Sequence, residues 1–417
     1  MAATPRQTGL EARPGGDVGE RRRALVLLAL SLVLAMTTWF SATAVLPTLR
    51  ALWSLSSGES SLLTISVQLG FVAGALVSAV TNLSDLVPAR RVIFISSLGA
   101  AAANAAVAGA DGLTLALPLR FLTGFFVAGI YPPALKVMAT HFRTGRGVAL
   151  GVLVGALTIG SAMPHLVNGL GGVPWQVVVL STSAMTVLGG AIAQFLVGDG
   201  PHPFPRAVFE PRFALRAFAD PALRLANLGY LGHMWELFAM WAWFAIFLGD
   251  SLRSSGEVEA ARVGPLGTFA VIGAGALGCY GGGVLGDRWG RTRTTALAMA
   301  ISGTCAALIG LTFGRDPRLV LAVGLVWGIA VVADSAQFST MLTELADQAY
   351  VGTALTLQLA LGFTLTVVTI WLVPLARDLV GWPLAFVLLV PGPAMGVAAM
   401  LALRRRPEAR RIAHGLG

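Results

Sequence analysis

Several ionisable side chains lie inside long apolar stretches of this 417-residue chain: Arg120, Lys136, Glu236 and Asp334, with the imidazoles of His165 and His233. A charge placed in hydrocarbon costs roughly 2.5–3.5 kcal/mol on insertion scales, so each needs a partner or a purpose. Glu236 and His233 are spaced i, i+3 and share a helix face. A carboxylate shut away from water can exchange a proton near neutrality, and a neighbouring arginine opposes that exchange. A bound anion that draws the arginine away would couple its own binding to protonation. At about 1.5 Å per residue, Arg120 is roughly 10 Å deep in its stretch and Glu236 roughly 20 Å from the opposite end of its own, which are compatible levels. Arg120 is therefore expected either to pair with Glu236 or to hold an anionic group of a solute. The plainer alternative is a bolt to the backbone of a neighbouring helix.

Asp334, with Gln337 on the same stretch, is a second candidate for proton exchange. Lys136, near a stretch end, reads as an interfacial lysine whose stem lets the ammonium snorkel to the headgroups. His165 beside Pro164 reads as a residue of a helix bend. Trp39, with Thr37, Thr38 and Ser41 around it, and Trp327, seven positions before Asp334, are candidates for solute contact along with His233 and Gln337. Trp241 and Trp243 fit the aromatic belt at a membrane surface.

Other chemistries find no support. The sequence contains no catalytic set, metal-ligand spacing, phosphate loop or nucleophile elbow, so neither an enzyme nor a cofactor or metal is expected. Cys279 and Cys305 both fall within apolar runs and read as small core residues rather than a disulfide. The net charge of +9 does not point to nucleic acid, because the charges occupy short gaps between apolar runs.

Those gaps reveal the elements that carry the candidates. Hydrophobic residues make up 56% of the chain and charged ones 12%, about half the charge of a soluble domain. Apolar runs near 24–48, 61–82, 91–109, 113–138, 148–170, 174–197, 222–248, 264–285, 293–313, 318–342, 351–375 and 383–403 are long enough to span a bilayer. Backbone groups in hydrocarbon must be bonded internally, so the spacing predicts twelve transmembrane helices and an all-α membrane protein. Arg21–Arg23 followed by an apolar run and Ala42-Thr43-Ala44 imitate a signal peptide, but a run of this length reads as an uncleaved first helix.

With the N-terminus inside, 21 of the 29 basic residues fall on cytoplasmic segments and 6 on outer loops. That asymmetry places both termini in the cytoplasm. The longest internal polar stretch, 198–221, reads as a cytoplasmic linker. The expected organisation is a disordered tail over 1–20, a six-helix bundle over 21–197, the linker, a second six-helix bundle over 222–403 and a cytoplasmic tail over 404–417. A repeat supports the halving: Asp85 with Arg90 and Arg91 follows span two, and Asp287 with Arg288, Gly290 and Arg291 follows span eight. Parallel six-helix halves are one of the architectures of secondary transporters.

The segment Gly283-Val-Leu-Gly-Asp287-Arg288-Trp-Gly290-Arg291 resembles the G-x-x-x-D-[RK]-x-G-[RK] loop of the major facilitator superfamily, and Arg120-Phe-Leu-Thr-Gly124 is similar to its R-x-x-x-G element. In that family the loop is usually stronger after the second helix; here the stronger copy is the second, and Pro88 replaces the usual glycine of the first. The resemblance implies two pseudo-symmetric six-helix bundles, alternating access, a monomer in the cell inner membrane, and helices one, four, seven and ten around a central cavity. It makes both loops gates that lock and release neighbouring helices. A proton-coupled transporter of a small solute is implied, with symport of an organic or inorganic anion favoured by Arg120. The Gly-Pro pair usual in span five of antiporters is missing, where Gly151, Gly155, Gly160 and Pro164 stand instead. Efflux of drugs or metabolites remains the alternative, and a non-transporting enzyme or sensor on the same scaffold is the alternative of another class.

Overall fold

Each apolar run becomes a helix because lipid offers the backbone no other partners. The structure, a computed structural model, describes residues 14–142, 146–171, 173–201, 219–347 and 351–417. The principal helices are α1 (Pro14–Ala35), α2 (Ser57–Val80), α3 (Ala89–Val107), α4 (Leu113–His141), α5 (Arg146–Gly169) and α6 (Trp175–Phe195). They are followed by α7 (Pro221–Ser254), α8 (Ala260–Trp289), α9 (Arg291–Thr312), α10 (Pro317–Leu345), α11 (Val351–Val380) and α12 (Trp382–Arg404). Among the described residues, 10 helices are long and apolar enough to cross a membrane. The helices α1 and α3 occupy the places of the other two expected spans.

Local chemistry sets several of the ends. Ser56 and Glu59 form a capping box at the start of α2. The Asp220 carboxylate accepts from the N–H groups of Ala222 and Leu223, and Pro221 opens α7 at the position where its missing N–H costs nothing. Asp316 and Pro317 repeat that device at α10. Pro14 likewise stands first in α1, so the stretch from Pro14 to Glu20 is helical and not part of a disordered tail. Residues 1–13 and most of the expected linker lie outside the described residues.

Three helices break where the sequence places a special residue. After Ala35 the first span passes through a 3-10 turn at Met36–Thr38, a short helix at Ser41–Ala44 and another at Leu46–Leu52. Span four divides between Val127 and Tyr131, and Pro132 and Pro133 occupy the first turn of its second segment. Span ten divides at Asp334, which belongs to neither Pro317–Ala333 nor Ser335–Leu345.

The packing repeats with a shift of six helices. In the first half α1 lies on α5 and α6, α2 on α4, and α3 on α4 and α6. In the second half α7 lies on α11 and α12, α8 on α10, and α9 on α10 and α12. The halves meet through α5 against α8 and α2 against α11. Small residues allow the closest of these approaches. A Cβ on Gly278 or Gly282 of α8 would overlap the carbonyl oxygen of Ile329 or Ala333 on α10. Such backbone proximity is how helices gain dispersion contact in a solvent as apolar as themselves. Gly282→Val forces α8 from α10, and overpacking of this kind costs about 1–3 kcal/mol. A lower melting temperature in detergent than for the wild type, with a smaller fall for Gly282→Ala, is the expected result of a tryptophan-fluorescence melt.

Candidate functional site

Arg120 is fully buried on α4 and faces the break in α1. Its Nη1 donates to the Thr38 carbonyl at 3.0 Å, the Ser41 hydroxyl at 3.1 Å and Oδ1 of Asn104 at 2.9 Å, and its Nη2 donates to the Trp39 carbonyl. Asn104 on α3 extends the network to α6 by donating to the Val179 carbonyl at 3.0 Å and the Ser183 hydroxyl at 2.9 Å. Carbonyls freed when a helix breaks need donors, and a planar guanidinium supplies several in a fixed fork. The expected pairing of Arg120 with Glu236 is not made. Its bonded partners among the described residues are all neutral, so Arg120 bolts α1, α3 and α4 while its charge has no bonded counter-ion. Four positions on, Gly124 lets α4 touch the Val67 backbone of α2, which accounts for the second half of the R-x-x-x-G pattern.

Glu236 and its neighbours gather in the other half. The Trp327 indole N–H donates to Oε1 of Glu236 at 2.6 Å, and the Ser302 hydroxyl donates to Oε2 at 2.8 Å. One turn away on α7, Nδ1 of His233 lies 2.9 Å from Oδ1 of Asp334, at ion-pair distance but out of line for a hydrogen bond. The other ring nitrogen meets the Ser335 hydroxyl at 3.0 Å. All of these except Ser335 are buried. Four of the residues read from the sequence, His233, Glu236, Trp327 and Asp334, thus form one cluster between α7 and α10. Ser302 was missed because α9 is not among the helices that the resemblance places around the cavity.

Gln337 belongs elsewhere, contrary to the expectation of solute contact. It accepts from Nη1 of Arg291 at 2.9 Å and donates to the Gly282 carbonyl at 3.1 Å. Groups distant in sequence meet there at one loop, where Arg291 grips Glu344 through two bonds of 2.9 Å and lies 3.2 Å from Asp287. Gly290 has φ of +95°, a conformation that side chains resist, and it lets the chain turn from α8 into α9. A Cβ on Gly147 would stand 2.6 Å from Oδ1 of Asp287, so that carboxylate sits against the first turn of α5, where the helix dipole favours an anion. Residues beyond Arg404 fold over the same loop: the Ala413 N–H donates to Glu344 at 3.2 Å, and Ile412 is fully buried.

The first loop copy is built differently. Arg90 forks onto Asp199 at 2.9 and 2.7 Å and donates to the Val197 carbonyl at 2.7 Å, tying α3 to the end of α6. Arg91 and Arg288 are exposed, and the Asp85 side chain lies outside what is described. Trp241 and Trp243 do not form a surface belt. Both are buried, and the Trp243 indole donates to the Ile370 carbonyl at 2.9 Å, because α7 is enclosed by α8, α10, α11 and α12. Trp39 stacks on Phe71, Phe238 and Phe363 at centroid distances of 4.9, 5.6 and 5.6 Å, joining rings from both halves. Lys136 is half-buried, and His165 is fully buried within the unbroken α5.

Repeated halves, broken spans and a loop of acid and arginine define an all-helical membrane protein whose interior charges sit at helix crossings. The family model described as Major Facilitator Superfamily matches residues 28–278, and the chain belongs to that family. It is 29% identical over 170 residues to the uncharacterized transporter YgaY of Escherichia coli O157:H7, covering 39% of this chain and 42% of that protein. It is also 29% identical over 163 residues to the probable 4-methylmuconolactone transporter of Cupriavidus pinatubonensis, covering 36% and 37%. With the efflux pump FUB11 of Gibberella moniliformis it shares 36% identity over 118 residues, covering 28% and 20%. The matches span less than half the length of each of these relatives.

Arg120→Lys keeps the charge but cannot present a guanidinium fork to four acceptors. Each hydrogen bond to a charged group contributes about 1.5–3 kcal/mol, so the variant is expected to melt well below the wild type. A lysine variant that melts with the wild type would show that the fork does not hold the α1 break.

Proposed function

We propose that this protein is a secondary transporter that takes up a small anion together with a proton by alternating access. The observation that carries the reading is the separation of buried opposite charges. Among the described residues, Arg120 lies in the first half with neutral bonded partners, and Glu236 lies in the second half bonded to Trp327 and Ser302. A bundle selected for stability alone gains by pairing such groups, since an uncompensated charge in lipid is costly. Kept apart, the cation is available to an anionic solute and the carboxylate to a proton. Asp334, against His233, extends the proton path toward the end of the bundle that carries Arg291.

On this reading the Asp287–Arg291 loop and its contact with α5 close the cytoplasmic side, and Arg90 serves the same side of the first half. Arg377 of α11 donates to the Ser57 hydroxyl of α2 at 2.7 Å and helps close the outer side. The arginine asymmetry of the loops supports cytoplasmic termini in a cell inner membrane. The six-plus-six packing repeat supports bundles over 21–197 and 222–403 joined by 198–221, working as a monomer. The relative named for 4-methylmuconolactone favours an organic solute. The likeness to a fungal efflux pump keeps export as the second reading.

Glu236→Gln can still accept from the Trp327 indole and can donate its amide to the Ser302 hydroxyl, but it carries no exchangeable proton. In reconstituted vesicles this variant should lose pH-gradient-driven accumulation while keeping solute exchange between the two sides. Full accumulation in the variant would remove Glu236 from the coupling.

A further inference from the structure

The region around the α1 break holds buried polar atoms that the protein leaves without partners. They are the indole N–H groups of Trp39 and Trp241, Nε of Arg120, the hydroxyl of Thr38 and both amide atoms of Gln68. Each of these residues is at most 1% exposed. Native interiors pair nearly all such groups, and an orphan calls for a specific explanation.

These atoms belong to one neighbourhood. The broken segment after α1 touches α2 there, with the hydroxyls of Thr43 and Thr64 2.8 Å apart and the rings of Trp39 and Phe71 4.9 Å apart. Gln68 lies between Thr64 and Phe71 on that face of α2, at the i+4 position of an i, i+4, i+7 row. Arg120 holds the Thr38 and Trp39 carbonyls from the α4 side. Trp241 of α7 closes the group through edge contacts with Phe40 at 5.8 Å and Phe238 at 5.5 Å.

Two chemical properties follow. Indole N–H and guanidinium Nε–H can only donate, so their missing partner is an acceptor. The one formal charge among the orphans is positive, and it has no bonded carboxylate. The walls are flat π faces contributed by both halves: Trp39 and Phe71 from the first, Phe238 and Phe363 from the second. Discontinuous helices near the bilayer midplane commonly mark transporter binding sites, and the break at Met36–Val45 is of that kind.

We infer that this is the solute site and that its ligand is a planar aromatic or conjugated monocarboxylate. The carboxylate accepts from Arg120 and the two indoles, and the flat body slots between the rings of the two halves. The inference rests on the anion reading given above and narrows it. Arg120 is the one charged group among these donors, which limits the ligand to a single carboxylate. The rings touch in this conformation, with Phe71 and Phe363 centroids 4.3 Å apart. Ligand entry must therefore part them, and the two halves close again on a flat body rather than on each other.

The test is ligand-dependent thermal stabilisation of the full chain in nanodiscs, with benzoate, cyclohexanecarboxylate, acetate and benzamide as probes. Benzoate should stabilise saturably, and the other three should bind at least about tenfold more weakly, because each lacks the flat ring or the charge. Trp241→Phe removes one donor and should weaken benzoate by about tenfold. Trp243→Phe, whose indole is already bonded within the protein, should bind as the wild type does. Acetate or cyclohexanecarboxylate binding as tightly as benzoate would overturn the aromatic class while leaving the anion reading intact. Benzamide binding as tightly as benzoate would overturn both. Absence of benzoate binding, or a Trp241→Phe variant with wild-type affinity, would overturn the assignment of class and place.

Discussion

The grip of Arg120 on the broken first helix is the interaction on which the interior depends. In hydrocarbon a helix that stops hydrogen-bonding to itself leaves carbonyls with nowhere to turn. Here those of Thr38 and Trp39 are taken by one guanidinium, whose Nη1 also reaches Ser41 and Asn104. The bend this permits sets Trp39 and Phe40 at the centre, where they meet rings of α2, α7 and α11. Remove the donors and the span would tend to straighten, since a continuous helix is then the only way to satisfy its backbone.

The two halves handle charge in different ways although they pack alike. The first contains a cation surrounded by neutral oxygen atoms. The second contains carboxylates held by hydroxyl, indole and imidazole groups. Neither half neutralises the other at rest, which gives the proposed anion and proton separate footholds in one interior.

Besides the packed seams of α5 on α8 and α2 on α11, polar contacts join the halves near opposite ends. At one end Asp287 lies against the first turn of α5, while Arg291 secures it to Glu344 and Gln337. At the other end Arg377 reaches Ser57, and Trp371 covers Gly58. The ion-pair and hydrogen-bond contacts among these are made across helix ends, so they can be exchanged without unpacking either half. That is the kind of interface on which rigid bundles rock. The chain beyond Arg404 adds weight to the first of them through Ala413 and Glu344.

Much of this was already legible in the residues. Apolar run length set most of the helices to within a few positions, because the bilayer thickness that a span must cross is constant, but the first starts ten residues earlier and breaks after Ala35. The Gly-Asp-Gly spacing marked the loop at Asp287–Arg291, since a tight turn and a helix-end acid both have local requirements. The costly charges marked Arg120, Glu236 and Asp334 as residues with roles. Their partners were not legible. Arg120 could be matched with Glu236 by depth, but depth says nothing of rotation about the helix axis, and the structure turns it toward the α1 carbonyls. Gln337 was misplaced for the same reason, and Ser302 and Glu344 were unseen because they lie 66 and 53 residues from the groups they bind. Sequence determined which segments enter lipid and which side chains are expensive there. Tertiary structure decided who meets whom, because in a solvent without hydrogen bonds only packed neighbours can meet the cost.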